Sequence, residues 1–295
     1  MSDTRVFVTG ATGGIGSHVI QRLVESGVPT TAFIRSEEKA QVMFADELKS
    51  GLLTLVKGDV HDAESFRGAI KGHTRLFLLV TDLDNMAKIK GELGRIAYEN
   101  GVKQIVDISS YTVHNTKRGY ISYAHTTGEE ALLKAAGETN NNLVVLRPGY
   151  FMSNLLHNEV YSIKAGNKTR GVGNPDQRAT LVHPKDIADV AVAVLLDPVE
   201  KHLNYVYDVQ TEVLSNKQRA EVLSRVLGRD IQYEQEEIDA YYSRMSPMMP
   251  HRMLYDFVTL GTIDFVNPVP QIRLLTGRNP RTFEEWIHEN RQAFD

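Results

Sequence analysis

Gly10, Gly13 and Gly16 recur at three-residue spacing in the segment Gly10-Ala11-Thr12-Gly13-Gly14-Ile15-Gly16. The segment follows the apolar run Val6-Phe7-Val8 and precedes a helical pattern that opens near Ser17. A strand that turns through glycine into a helix brings bare backbone N–H groups and the positive end of a helix dipole against an anion. The chemistry this suits is holding the pyrophosphate of a dinucleotide, with Gly10, Thr12, Gly13, Gly14, Ile15 and Gly16 as the candidate cradle. The second apolar run ends at Phe33-Ile34-Arg35-Ser36, without the acid that would grip both ribose hydroxyls of NAD. Arg35 is placed to fork onto a 2′-phosphate, with Lys39 one helical turn on as a second cation, which favours NADP(H) over NAD(H). A solvated helix start, with Glu37 and Glu38 beside the arginine, is the other reading.

Other chemistries lack their residues. The chain has no Cys, so thiolate nucleophiles, disulfides and Cys-ligated metal centres are excluded. His-Glu-x-x-His, Gly-x-Ser-x-Gly and Walker A sequences are absent, and His157, His183 and His288 read as surface or cap residues. We therefore expect no metal site. Lys and Arg total 33 against 37 Asp and Glu, a net charge of −4, so no basic field exists to hold a nucleic-acid backbone. Met1-Ser2-Asp3 leads straight into a run too short for a signal h-region, and no apolar stretch of about 18 residues occurs. The expectation is a cytoplasmic protein, monomer or homodimer, that engages neither membrane nor nucleic acid.

The elements that must position the glycine turn read as an α/β protein of 295 residues. Short β-branched runs alternate with amphipathic segments, as in βαβ units of a parallel sheet. Strands are expected at Arg5–Thr9, Thr30–Ile34, Leu53–Lys57, Arg75–Leu79, Gln104–Ile108, Leu143–Leu146 and Tyr205–Val209. Helices are expected at 16–26, 86–100 and 122–136, each stopped by a glycine, and after Pro184. Residues 153–178 are rich in Gly, Asn and Lys, and Pro247, Pro250, Pro268, Pro270 and Pro280 break the pattern late in the chain. The expected fold is a Rossmann-type doubly wound parallel sheet with a smaller C-terminal lobe. Residues 1–152 form the core, completed by about 179–212, and 153–178 with 213–295 form the lobe.

The Gly-x-x-Gly-x-x-Gly spacing resembles the short-chain dehydrogenase/reductase superfamily. Three blocks resemble its atypical NmrA-like family: Arg147-Pro148-Gly149-Tyr150-Phe151-Met152-Ser153-Asn154, His183-Pro184-Lys185-Asp186-Ile187-Ala188-Asp189 and Arg281-Thr282-Phe283-Glu284-Glu285-Trp286. That family takes in quinone, isoflavone and benzylic ether reductases, reductases of fungal secondary metabolism, and cofactor-binding regulators without activity. The resemblance implies an adenine contact at Asp59, in Gly58-Asp59-Val60. It also implies further cofactor contacts at Val80, Thr81, Ser109, Pro148, Tyr150 and Phe151.

The same resemblance puts a substrate-orienting hydroxyl at Ser110 and the superfamily tyrosine at Tyr123, thirteen positions on. The lysine expected four residues later is Thr127, and Glu130 matches a common structural glutamate. A phenol with a pKa of about 10 is ionised about once in a thousand at neutral pH, and the missing lysine would have lowered that value. Tyr123 is thus either a weak acid–base or a tyrosine packed against the cofactor. His125 is either a candidate general acid or a partly exposed polar residue.

Tyr241, Tyr242, Met245, Met248, Met249, Met253 and Tyr255 are adaptable apolar groups. They read as core or, in the lobe that shapes the substrate mouth of this fold, as the wall for a small apolar or aromatic substrate. The leading expectation is an NADPH-dependent oxidoreductase that passes hydride to an activated acceptor: a quinone, enone, iminium or conjugated carbonyl. A non-catalytic NADP(H) sensor is the second reading, and an isomerase or dehydratase the third.

Overall fold

The computed structural model describes residues 4–114, 119–139, 141–264, 266 and 269–295. Pro268 and Met1-Ser2-Asp3 lie outside them. The chain forms two compact units, Met1–Thr116 with Ser122–Pro148 and Ile187–Asp208, and Lys117–Ile121 with Gly149–Asp186 and Val209–Asp295.

The first unit is built on β1 (Val6–Val8), β2 (Thr30–Ile34), β3 (Leu53–Lys57), β4 (Arg75–Leu78), β5 (Gln104–Ile108) and β6 (Asn142–Pro148). A seventh strand, Val206–Val209, ends the sheet beside β6, giving the order 3-2-1-4-5-6 and then that strand. Adjacent pairs from β3 to β6 are parallel. β1, β2, β4 and β5 are buried at every position, the signature of strands covered on both faces. The helix α1 (Gly16–Glu25) turns Val19, Ile20 and Leu23 inward. Phe7, Phe33 and Phe66 pack ring to ring, with Phe7 5.4 Å from Phe33 and 5.5 Å from Phe66 between centroids. The expected strands form within one or two residues of their predicted bounds.

Helix Met86–Glu99 buries Met86, Ile89, Leu93 and Ala97, and among them Lys90, which has no exposed surface. Its ammonium lies 2.8 Å from the carboxylate of Asp107, fully buried near the end of β5, and donates to the Ile108 carbonyl at 3.0 Å. Burial pushes the Asp107 carboxyl up, and Lys90 opposes that shift. Neither charge can afford to lose the other.

The second unit holds a three-stranded sheet in the order Glu212–Ser215, Arg178–Val182, Tyr150–Phe151, and a parallel pair, Lys168–Gly171 with Gln232–Gln235. These strands are short and mostly polar, and Lys168–Gly171 lies in the Gly- and Asn-rich stretch, so apolar runs do not announce them. The unit's core stacks Phe283 on Trp286, with Phe294 at the indole's edge. Two of the three family-like blocks serve this packing. Asp186 accepts the Arg281 N–H at 2.8 Å and pairs with its guanidinium, while Thr282 and Glu285 form a capping box that starts helix Phe283–Glu289.

Lys90→Met leaves a buried carboxylate without its cation and is expected to cost about 3–5 kcal/mol in urea unfolding. Adding Asp107→Leu should recover most of that loss. A double variant as unstable as the single one would show that shape, not charge, matters at this point.

Candidate cofactor and reaction site

Because β1 to β5 run parallel, the residues that follow them fall on one edge of the sheet. Gly10–Gly16 follow β1, Arg35 follows β2, Asp59 follows β3, Val80 and Thr81 follow β4, and Ser109 and Ser110 follow β5. Between β1 and β4 the chain's direction of travel across the sheet reverses, and the crevice at such a reversal is where open α/β sheets take their ligands.

The glycine turn is tight for definite reasons. Gly10 has φ of +63°, in the left-handed region, and its carbonyl accepts the Gly13 N–H at 3.0 Å. A Cβ on Gly16 would lie 2.3 Å from that same carbonyl oxygen, so only glycine lets α1 begin so close to β1. Thr9 secures the approach from behind: the Leu79 N–H donates to its hydroxyl at 2.8 Å, and that hydroxyl donates to the Leu79 carbonyl at 3.2 Å. Gly13 and Gly14 face outward and are exposed, and a Cβ on Gly14 would meet nothing within 4 Å. Among the described residues no side chain caps the start of α1. Open glycines before an uncapped helix N-terminus fit a pyrophosphate.

Arg35 and Lys39 are exposed, and no ion pair or side-chain hydrogen bond holds either among the described residues. Ser36 caps the next helix, Glu37–Met43, by accepting the Lys39 N–H at 3.3 Å, so the arginine stands just outside it. Asp59 is half-buried and accepts the His61 N–H at 2.9 Å, which fixes one carboxylate oxygen. Val80 is buried and Thr81 exposed.

At the other end, Ser109 is 3% exposed and gives its hydroxyl proton to Glu129 on helix Tyr120–Thr139. Glu129 also takes the Arg147 Nε–H at 2.9 Å, and this pairing holds the guanidinium protonated beyond its ordinary range. Ser110 accepts from the Thr112 N–H and hydroxyl at 3.2 and 2.9 Å, keeping its own proton to give. Tyr123 is 58% exposed. Thr127 turns its hydroxyl back onto the Tyr123 carbonyl at 2.9 Å and thus supplies nothing to the phenol. Burial, with Lys90 nearby, pushes His125 down to about 3, and among the described residues its Nδ1 is enclosed without a partner. Burial thus favours the neutral imidazole and weighs against a cationic general acid at His125.

Three polar residues escape a motif search: Lys90, Asp107 and Glu129. The signal for the first two was a lysine on an apolar helical stripe and an aspartate between Val106 and Ile108 on a buried strand, two buried charges that call for each other. Glu129 was displaced by its neighbour, because Glu130 is exposed while Glu129 makes the contacts.

Pro148 closes β6 and is buried. Tyr150 and Phe151 form a short strand of the second unit, half-buried beside Leu181 and Val182. Burial, with Tyr150 close by, pushes the Tyr241 phenol up, whereas Met248 and Tyr255 are exposed and Met245 is buried. His183 lies 3.4 Å from Glu289. A groove of about 360 Å³ in this unit is lined by Asp176, Arg178, Ser215, Lys217, Gln218 and Glu221, none of them a residue singled out from the sequence. Among the described residues no cluster could hold a metal ion, and no helix is long and apolar enough to cross a membrane.

The sheet order, the turn after β1 and the ligand edge define an NAD(P)-binding Rossmann fold of the short-chain dehydrogenase/reductase type. The chain belongs to the NmrA-like family, whose profile matches residues 2–287, and is classed with that family's oxidoreductases. It is 27% identical to a (4-alkanoyl-5-oxo-2,5-dihydrofuran-3-yl)methyl phosphate reductase of Streptomyces griseus, over 98% of this chain and 99% of that protein. Its fold is similar to that of an NADPH-dependent quinone oxidoreductase of Escherichia coli solved with NADPH (TM-score 0.81, 21% identity, 97% of this chain and 99% of that one). It is also similar to that of the Citrobacter sp. triphenylmethane reductase solved with NADP(H) (TM-score 0.79, 19% identity, 98% and 99%). At these identities the two structures speak to the fold.

The two ends of the glycine turn should respond differently to the same change. Gly13→Val meets only the Gly10 oxygen at 3.2 Å and should shift Tm by no more than about 4 °C while abolishing dinucleotide binding. Gly16→Val should cost about 1–3 kcal/mol of stability through overpacking. Calorimetry on both variants checks the pair, and retained binding in Gly13→Val would reduce the motif to a turn.

Proposed function

We propose that the chain is an NADP(H)-dependent reductase that delivers hydride to an electron-poor carbon of a small apolar or aromatic acceptor, such as a quinone, enone, iminium or conjugated carbonyl. The observation that carries this reading is the alignment of Gly10–Gly16, Arg35, Asp59, Val80, Thr81, Ser109 and Ser110 along one sheet edge. The full-length reductase relative supports it. The glycine turn would hold the pyrophosphate, Asp59 the adenosine end, and Arg35 with Lys39 the 2′-phosphate. When bound there, NADPH supplies the hydride.

The chain's own residues contribute position more than acid–base power. Ser110 can donate a hydrogen bond to an acceptor oxygen. Tyr123 has a phenol without the usual lysine, since the Thr127 hydroxyl is turned onto its own helix. His125 stays neutral. With so little means of protonating the negative charge that develops on the acceptor as hydride arrives, the site suits acceptors that already carry their electron demand; the proton then comes from Tyr123 or water, and proximity supplies most of the rate. That same weakness of acid–base groups favours a second reading, a cofactor-binding regulator of the family's non-catalytic kind.

A turnover screen with NADPH against quinones, enones and plain ketones separates the readings: turnover of activated acceptors only is expected. Tight NADP(H) binding with no turnover of any acceptor would move the protein to the regulators. Arg35→Ala should remove most of the preference for NADPH over NADH, on the order of ten- to hundredfold for a charge-assisted contact worth about 1.5–3 kcal/mol. Equal affinities in the unaltered protein, measured by calorimetry, would sink the assignment of Arg35. Tyr123→Phe should lower kcat only severalfold, against the roughly 10²–10⁴-fold loss of an essential general acid. Efficient reduction of an aliphatic ketone that Tyr123→Phe abolishes would overturn this mechanism.

A further inference from the structure

The Glu129 carboxylate joins three elements of the first unit. On helix Tyr120–Thr139, which also carries Tyr123, it accepts the Ser109 hydroxyl from the end of β5 and both Nε–H and Nη2–H of Arg147 from β6. Its side chain is 12% exposed and that of Arg147 18%, so water competes little for these bonds. Ser109 is gripped a second time through its backbone, whose N–H donates to the Leu146 carbonyl at 2.8 Å. Beyond Ser110 the chain makes one turn of 3₁₀ helix, Tyr111–His114, and His114 Nε2 lies 2.9 Å from Asp208 Oδ1. Asp208 adds its negative charge to the field that holds Arg147 protonated. The segment 109–114 is thus tied at one end to Glu129, itself paired with Arg147, and at the other to Asp208.

We propose that Glu129 is the positioning residue of the reaction end: held by Arg147, it fixes Ser109 and thereby sets the Ser110 hydroxyl in register with the helix of Tyr123. This rests on the reductase reading above. Glu129 touches neither acceptor nor cofactor in this account and acts through Ser109. A carboxylate is required because one oxygen serves Ser109 and Nε of Arg147 together while the other serves Nη2; an amide would turn a donor toward one of these donors. Ser109→Ala removes the link and leaves the Glu129–Arg147 pair intact, so the two effects are separable.

The test compares Ser109→Ala, Ser109→Thr, Glu129→Gln and the Ser109→Ala/Glu129→Gln double variant. The measurements are Tm, NADPH affinity by fluorescence titration, single-turnover hydride transfer to a p-benzoquinone, and amide hydrogen exchange. Expected is single-turnover transfer, measured at saturating NADPH set by the titration, about tenfold slower in each single variant without further loss in the double. Exchange should quicken over 109–114 and not elsewhere, and Ser109→Thr should restore the rate. Losses that multiply in the double variant, or unchanged rate and exchange in Ser109→Ala, would overturn the proposal. If the unaltered protein neither binds NADPH nor reduces the quinone, the reductase reading falls. The exchange data still decide the clamp: quickening confined to 109–114 supports it, and unchanged or global exchange refutes it.

Discussion

The constraint on which the rest depends is the common direction of β1 through β6. Parallel strands can be joined only by crossovers, and right-handed crossovers through helices bury both faces of the sheet and return each strand end to the same edge. Residues scattered from Gly10 to Ser110 are collected there without any contact among themselves being needed. The reversal between β1 and β4 opens the crevice, and the glycine turn points the start of α1 into it. An antiparallel pairing anywhere in this series would send one of these loops to the opposite edge.

Behind the reaction end, the same burial that makes the sheet stable makes charge expensive. Lys90 and Asp107 solve this by pairing with no exposed surface, and Glu129 and Arg147 solve it a few residues nearer the edge. His125 has no such partner, and desolvation keeps it neutral. A low-dielectric neighbourhood thus holds polar groups in fixed places while denying one of them its proton. Rigid hydroxyls with little acid–base strength are what the proposed chemistry, hydride delivery to an already electron-poor carbon, can use.

The blocks that carry the family likeness turn out to be anchors. Asp186 holds Arg281 in the second unit, and Asp189 of the same block pairs with Arg22 of α1 at 3.0 Å in the first. Thr282 and Glu285 start the helix that brings Trp286 into its core. Such residues recur in a family because each fixes a piece of backbone, which explains why they identify fold and say little of substrate.

By itself the sequence determined the alternation of strand and helix, the glycine turn and the absence of an acid after β2. These are local properties: apolar periodicity, backbone freedom at glycine, and side-chain type at a strand end. It also placed Ser110 and Tyr123 on their elements, a loop after β5 and a helix. What only the tertiary structure decided was which polar residues meet. Glu129 rather than Glu130 reaches Ser109 because helix rotation, set by packing, chooses between neighbours about 100° apart. Lys90 finds Asp107 only when helix Met86–Glu99 lies on β5. His125 loses its usable proton through burial that no local pattern announces. The short strands of the second unit form through long-range pairing, such as Glu212–Ser215 with Arg178–Val182, and segments such as Lys168–Gly171 and Gln232–Gln235 lack the apolar runs that mark the equally short strands of the first unit.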